Sequence, residues 1–207
     1  MLGVALIGGP IVFMLSRFTA AYQASNNMHP TIVQGDRIIL RNDPSQVRRG
    51  DIVTYDPDEW GLQGPRLGRV VAVGGDRISY AMGNEALTLN GEPLDEPYVN
   101  GAPGDGAVAF DVTVPENRVF ILGDNRGNSA DSRFQQSSGN GTLPVSAVTG
   151  VQEDRESPTA VGLGLTVFAG MCFVPLGMGL GIAALVVRRR KPVPAGPVWG
   201  AVHLDQP

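Results

Sequence analysis

Eleven residues directly behind an apolar run, Gly123-Asp124-Asn125-Arg126-Gly127-Asn128-Ser129-Ala130-Asp131-Ser132-Arg133, crowd carboxylates, guanidiniums, amides and hydroxyls together. Asp124 and Asp131 can be proposed as an acid–base pair, one carboxylate taking a proton while the other gives one. The arginines at 126 and 133 favour a different outcome: a polar loop with Asx turns, held by an Asp131–Arg133 pair. A second polar turn, Asn26-Asn27-Met28-His29-Pro30-Thr31-Ile32 followed by Gly35-Asp36, lies near the N-terminus. Other chemistry is excluded by count. The only lysine is Lys191, the only cysteine is Cys172, and the histidines are His29 and His203. The middle of the chain therefore has no lysine base, no thiolate and no disulfide, and ligands this dispersed assemble no metal centre. No cofactor is expected.

The elements that must position these residues have a period of two. Asp36–Leu40, Asp51–Tyr55, Arg69–Val73 and Arg118–Leu122 are short β-rich runs bounded by Gly, Asp, Asn and Pro. Leu87-Thr88-Leu89, Asn90-Gly91 and Glu92-Pro93-Leu94 predict a hairpin closed by a type I′ turn. Residues 99–108 and 135–144 predict loops. Glycine and proline, 28 and 16 of 207 residues, argue against a helical bundle and for strands joined by tight turns. Nothing between 24 and 159 has a helical period.

The flanks differ in kind. Residues 160–187 carry no charge, and a helix of that length would be about 42 Å long, enough to cross a ~30 Å hydrocarbon core. Arg188, Arg189, Arg190 and Lys191 follow at once, which predicts a cytoplasmic basic tail over 188–207. Residues 2–15 are apolar and Phe18–Tyr22 resume after Ser16 and Arg17; with Arg17 snorkelling, 2–22 is read as an uncleaved N-terminal anchor. Two spans place 24–159 outside the cell membrane. This middle stretch holds 19 acidic residues against 11 arginines between Asp36 and Glu156, which makes nucleic acid an unsuitable partner.

Four segments, in order, resemble the bacterial type I signal peptidases, membrane-anchored serine endopeptidases that remove signal peptides from exported proteins. They are Ser25-x-x-Met28-x-Pro30-Thr31 with Gly35-Asp36; Arg49-Gly50-Asp51-Ile52-Val53; Arg69-Val70-Val71 through Gly75-Asp76; and the loop 123–133. Asn90–Tyr98 and Gly141–Ser146 add to the match, which covers about residues 16–151. The resemblance implies a mainly β fold, an antiparallel core with a small inserted β region at about 78–116, which the two membrane helices read from the apolar flanks would enclose. It also implies a Ser–Lys dyad, with the serine directly before Met28 and the lysine directly before Arg69.

At those two positions this chain has Asn27 and Gly68. An amide is a very poor nucleophile and glycine offers no base. The rest of the frame survives in the resemblance. Ser25 and the Asn27 backbone N–H match the oxyanion donors, Ser129 matches the hydroxyl that bonds the lysine, and Asp124, Asp131 and Arg133 match the supporting loop. Three function classes follow. The first is a catalytically inactive homologue that binds signal peptides of exported preproteins or regulates an active paralogue. The second is an active peptidase with a substituted mechanism. The third is a membrane assembly protein.

Overall fold

The computed structural model describes residues 16–106, 109–153 and 179–188. Among the described residues, eleven strands form two antiparallel sheets. The larger has the order β1 (Phe18–Tyr22), β2 (Arg37–Arg41), β11 (Val148–Gln152), β3 (Ile52–Tyr55), β4 (Arg66–Val73), β9 (Arg118–Leu122) and β10 (Leu143–Pro144). The smaller has the order β7 (Glu92–Pro93), β6 (Thr88–Leu89), β5 (Arg77–Tyr80) and β8 (Phe110–Thr113). It lies in sequence between β4 and β9, as an insertion. The protein is mainly β. Among the described residues between 18 and 152, the helical segments are short 3-10 turns.

β4 and β9 read as continuous apolar runs because both of their faces are buried. Val70, Val119 and Ile121 face one cluster with Val53, Tyr55 and Leu143, while Ala72, Phe120 and Leu122 face another with Ile78, Phe110 and Val112 of the small sheet. A bulge in β4 between Val70 and Ala72 shifts the register, so that Val71 joins Ala72 on the second cluster. A third cluster, Met28, Ile32, Ile38, Leu40, Ile52 and Leu67, closes the other end of the large sheet. In β2 the expected alternation holds: Ile38 and Leu40 are buried and Ile39 is exposed. The predicted hairpin turn has positive φ at both central residues, 54° at Asn90 and 94° at Gly91, as a type I′ turn demands.

The expectation of a membrane anchor over 2–22 is corrected at its C-terminal end. Phe18–Tyr22 is a strand paired with β2 along its whole length, from Phe18 opposite Arg41 to Tyr22 opposite Arg37. Its backbone groups are satisfied by a neighbouring strand, not along a helix, and Ala21 packs on the third cluster. The folded domain thus starts before residue 24. Residues 2–15 of that segment, and most of 160–187, lie outside the described residues. Residues 179–188 form an exposed helix, and no described helix is long and apolar enough to cross a membrane.

Candidate functional site

The loop 123–133 is held by charge pairs buried almost completely. Asp131 accepts from Gly123 N (3.0 Å) through Oδ2 and from Arg133 Nε (2.8 Å) through Oδ1, and it caps the turn by taking Arg133 N (3.2 Å). Arg133 Nη2 donates back to Arg126 O at 2.9 Å, and Ser132 Oγ accepts from Ile121 N at 2.8 Å. No buried side-chain nitrogen or oxygen of the loop lacks a hydrogen-bond partner, as buried charge requires.

Asp124 is paired across the sheet. Arg69 grips it with Nε at 2.9 Å and Nη2 at 2.6 Å, and Thr31 Oγ1 donates to the same carboxylate. The Arg69 guanidinium also lies over the Tyr98 ring, 3.9 Å from its centroid. Burial opposes the charge on Arg69, yet the hydrogen bond and charge of Asp124, with Tyr98 and Glu96, hold its pKa above the ordinary value. Arg126 reaches Glu96 at 2.6 Å, and Tyr98 donates to the same Glu96 oxygen at 3.0 Å. Asp124 and Asp131 are each committed to an arginine. That favours the salt-bridged loop over an acid–base pair, although the arginine of Asp124 is Arg69 and not its near neighbour Arg126.

This loop, β4 and the turn after β1 meet at one place. Met28 is fully buried in the third cluster, which fixes Asn27 at the protein surface one residue earlier. Asn125 N donates to Asn27 O at 3.0 Å, joining that turn to the loop. The side chain of Asn27 extends the other way: Nδ2 donates to Leu67 O at 2.6 Å, on the residue before Gly68. Ser25 Oγ and Gln23 Nε2 both donate to Asn27 Oδ1, at 2.7 and 2.8 Å. Ser129 lies beside Gly123, where a Cβ would fall 2.5 Å from Ser129 Cβ and 2.7 Å from Asn27 O. Ser25, Asn27 and Ser129 line one groove of about 860 Å³, together with Leu67, the residue before Gly68.

At Gly68 there is no vacant space. A Cβ there would fall 2.5 Å from Ile121 Cγ2, 3.2 Å from Tyr55 Cε1 and 3.3 Å from Leu122 O. Tyr55 is 2% exposed. Burial above all, and then the charge of Asp131, push its hydroxyl pKa up, with Arg66 opposing, so the phenol is neutral. Neither Tyr55 nor Gln23 was legible as a site residue. Tyr55 looks like any aromatic on a strand, and Gln23 lies outside every motif.

The residue pattern and this geometry point the same way as comparison with known proteins. Residues 1–154 match the family model described as signal peptidase, peptidase S26. The chain belongs to the type I signal peptidase family. A probable signal peptidase I-1 of Synechocystis sp. is 37% identical over 136 residues, 59% of this chain and 66% of that protein. A signal peptidase I of Leptolyngbya laminosa is 35% identical over 148 residues, 64% of this chain and 70% of that protein. The chain covers 54% of a second Synechocystis signal peptidase and 48% of one from Mycobacterium leprae, about half the length of each. The crystal structure of a signal peptidase I from Enterococcus faecalis V583 is similar at 26% identity with a TM-score of 0.41, covering 51% of this chain and 96% of that one.

Proposed function

We propose that this chain is a non-catalytic signal peptidase homologue that binds signal peptides, or similar extended segments, at the outer face of the cell membrane without cutting them. The observation that carries the proposal is the packing beside Gly68. A Ser–Lys mechanism needs an amine close to the nucleophile, and Tyr55 and Ile121 fill the volume through which any side chain from residue 68 would leave the backbone. At position 27 the amide is bonded on both sides and offers no oxygen nucleophile. The groove remains. Its lining includes the small residues Ala21, Ala24, Gly64, Pro65 and Ala130 beside polar ones such as Gln63 and Asn128. Such walls suit the small side chains that flank a signal-peptide cleavage site.

Binding without cleavage fits two roles, the holding of preproteins and the regulation of an active paralogue. The basic residues 188–191 support a cytoplasmic C-terminus with the β domain outside. Full-length protein in detergent, incubated with a preprotein across a range of pH, should leave it uncut. The same protein should crosslink to the uncleaved signal peptide. Cleavage at a single site after the signal sequence, with host peptidase excluded, would overturn the proposal.

A further inference from the structure

Three polar groups converge on one carboxamide. Gln23 Nε2 and Ser25 Oγ donate to Asn27 Oδ1, and Asn27 Nδ2 donates to Leu67 O. The orientation of the amide follows from its partners. Turned over, its oxygen would face the Leu67 carbonyl and its NH2 would face the Gln23 NH2, leaving an acceptor against an acceptor and a donor against a donor. Two donors on the chain that follows β1 thus face one backbone acceptor on β4, and the gap between them is the width of an amide. An amide offers one carbonyl oxygen and one or two N–H groups, so it satisfies both sides at once.

The walls of this gap are fixed. Gln23 is 5% exposed, and its backbone is bonded to Asp36 O and Gly35 N at 2.9 and 2.8 Å. Leu67 is buried on β4, paired opposite Thr54. The occupant is different in kind. Asn27 is held at its backbone by Asn125 N and by buried Met28, but its side chain is only half-buried and lies beside exposed Ser25. Rotation about the Asn27 side-chain bonds empties the gap without moving the main chain.

We infer that Gln23, Ser25 and the Leu67 carbonyl form an amide-binding subsite at the head of the groove, filled in this chain by its own Asn27 side chain. The inference rests on the peptide-binding role proposed above and names what that groove recognises at this end: a backbone amide that must displace the Asn27 carboxamide. Asn27 is then a specificity-determining residue. Peptides that stop short of the subsite bind without opposition, and peptides that run through it compete with the side chain for two donors and one acceptor.

The test uses the full chain in detergent and a fluorescein-labelled, end-capped ten-residue peptide of alternating alanines, read by fluorescence anisotropy. Asn27→Ala empties the subsite and should tighten binding about tenfold, the worth of one or two hydrogen bonds regained by the peptide. Asn27→Ser, whose side chain is too short to reach Leu67 O, should also tighten it. Adding Gln23→Ala to Asn27→Ala should return several-fold of the gain, because one donor to the peptide is lost. Equal or weaker binding by both position-27 variants overturns the inference and leaves the groove a peptide site. Binding by neither the wild-type protein nor the variants overturns both.

Discussion

The edge of the Tyr55 ring lies 3.2 Å from the point at which Gly68 would carry a Cβ, on the strand directly beside it. Ile121, from the strand on the other side, closes the same point to 2.5 Å. Glycine at 68 is a packing requirement of this core. Gly68→Ala should lower stability by about 1–3 kcal/mol in urea unfolding, the usual cost of forcing a methyl into a filled interior. Gly68→Lys should cost more. Asn27→Ser with Gly68→Lys should give no preprotein cleavage.

Asp124 and Arg69 form a bidentate pair, with side chains 1% and 11% exposed. Removing one partner strands the other in the interior. Arg69→Ala or Asp124→Leu should each destabilise the domain by about 3–5 kcal/mol. Arg69→Lys should rescue little, since an ammonium cannot reproduce the two-point grip or lie flat over Tyr98. Thermal melts of the four proteins in the same detergent decide this.

Alkaline pH should weaken the fold. Burial raises the pKa of both Tyr55 and Tyr98 above the unfolded value of 10, with Asp131 adding at Tyr55 and Glu96 at Tyr98. The folded protein therefore holds these protons more tightly than the unfolded chain does. Their contribution is complete below pH 10 and is lost as pH rises from there toward the folded pKa values. Urea midpoints measured from pH 8 to pH 11.5 should fall above pH 10, and Tyr55→Phe should make that fall shallower. An unchanged slope in Tyr55→Phe would show that Tyr55 is not the group responsible.

Gly123 is the point where the loop, Ser129 and the Asn27 carbonyl crowd together. A Cβ there would lie 2.7 Å from Asn27 O, a backbone atom that cannot swing aside as a side-chain end can. Gly123→Ala should therefore destabilise the protein by more than about 1 kcal/mol and displace the turn bearing Asn27. Loss of the Asn125 N to Asn27 O bond should appear as faster amide exchange at Asn125.

The motifs, their order and the two departures at 27 and 68 are plain in the sequence, because residue identity at a motif position needs no coordinates. The strands over 37–41, 52–55 and 118–122 and the Asn90-Gly91 turn were legible too, since alternation and turn chemistry act between near neighbours. β1, β5, β8, β10 and β11 were not, and β10 (Leu143–Pro144) falls inside the stretch 135–144 expected to be a loop. Phe18–Tyr22 is apolar enough to continue a membrane segment, and only its pairing with β2 makes it a strand. The partner of Asp124 was equally hidden. Arg126 stands two residues away, but the chain sends it to Glu96 and brings Arg69 across 55 positions, because neighbouring strands and not neighbouring residues determine which charges meet. The sequence shows Asn27 and Gly68 where the resemblance would place a serine and a lysine. That Tyr55 and Ile121 fill the space beside Gly68, and that the Asn27 amide spans from Ser25 to Leu67, depends on side chains from distant segments converging in one packed volume, and no local pattern records that.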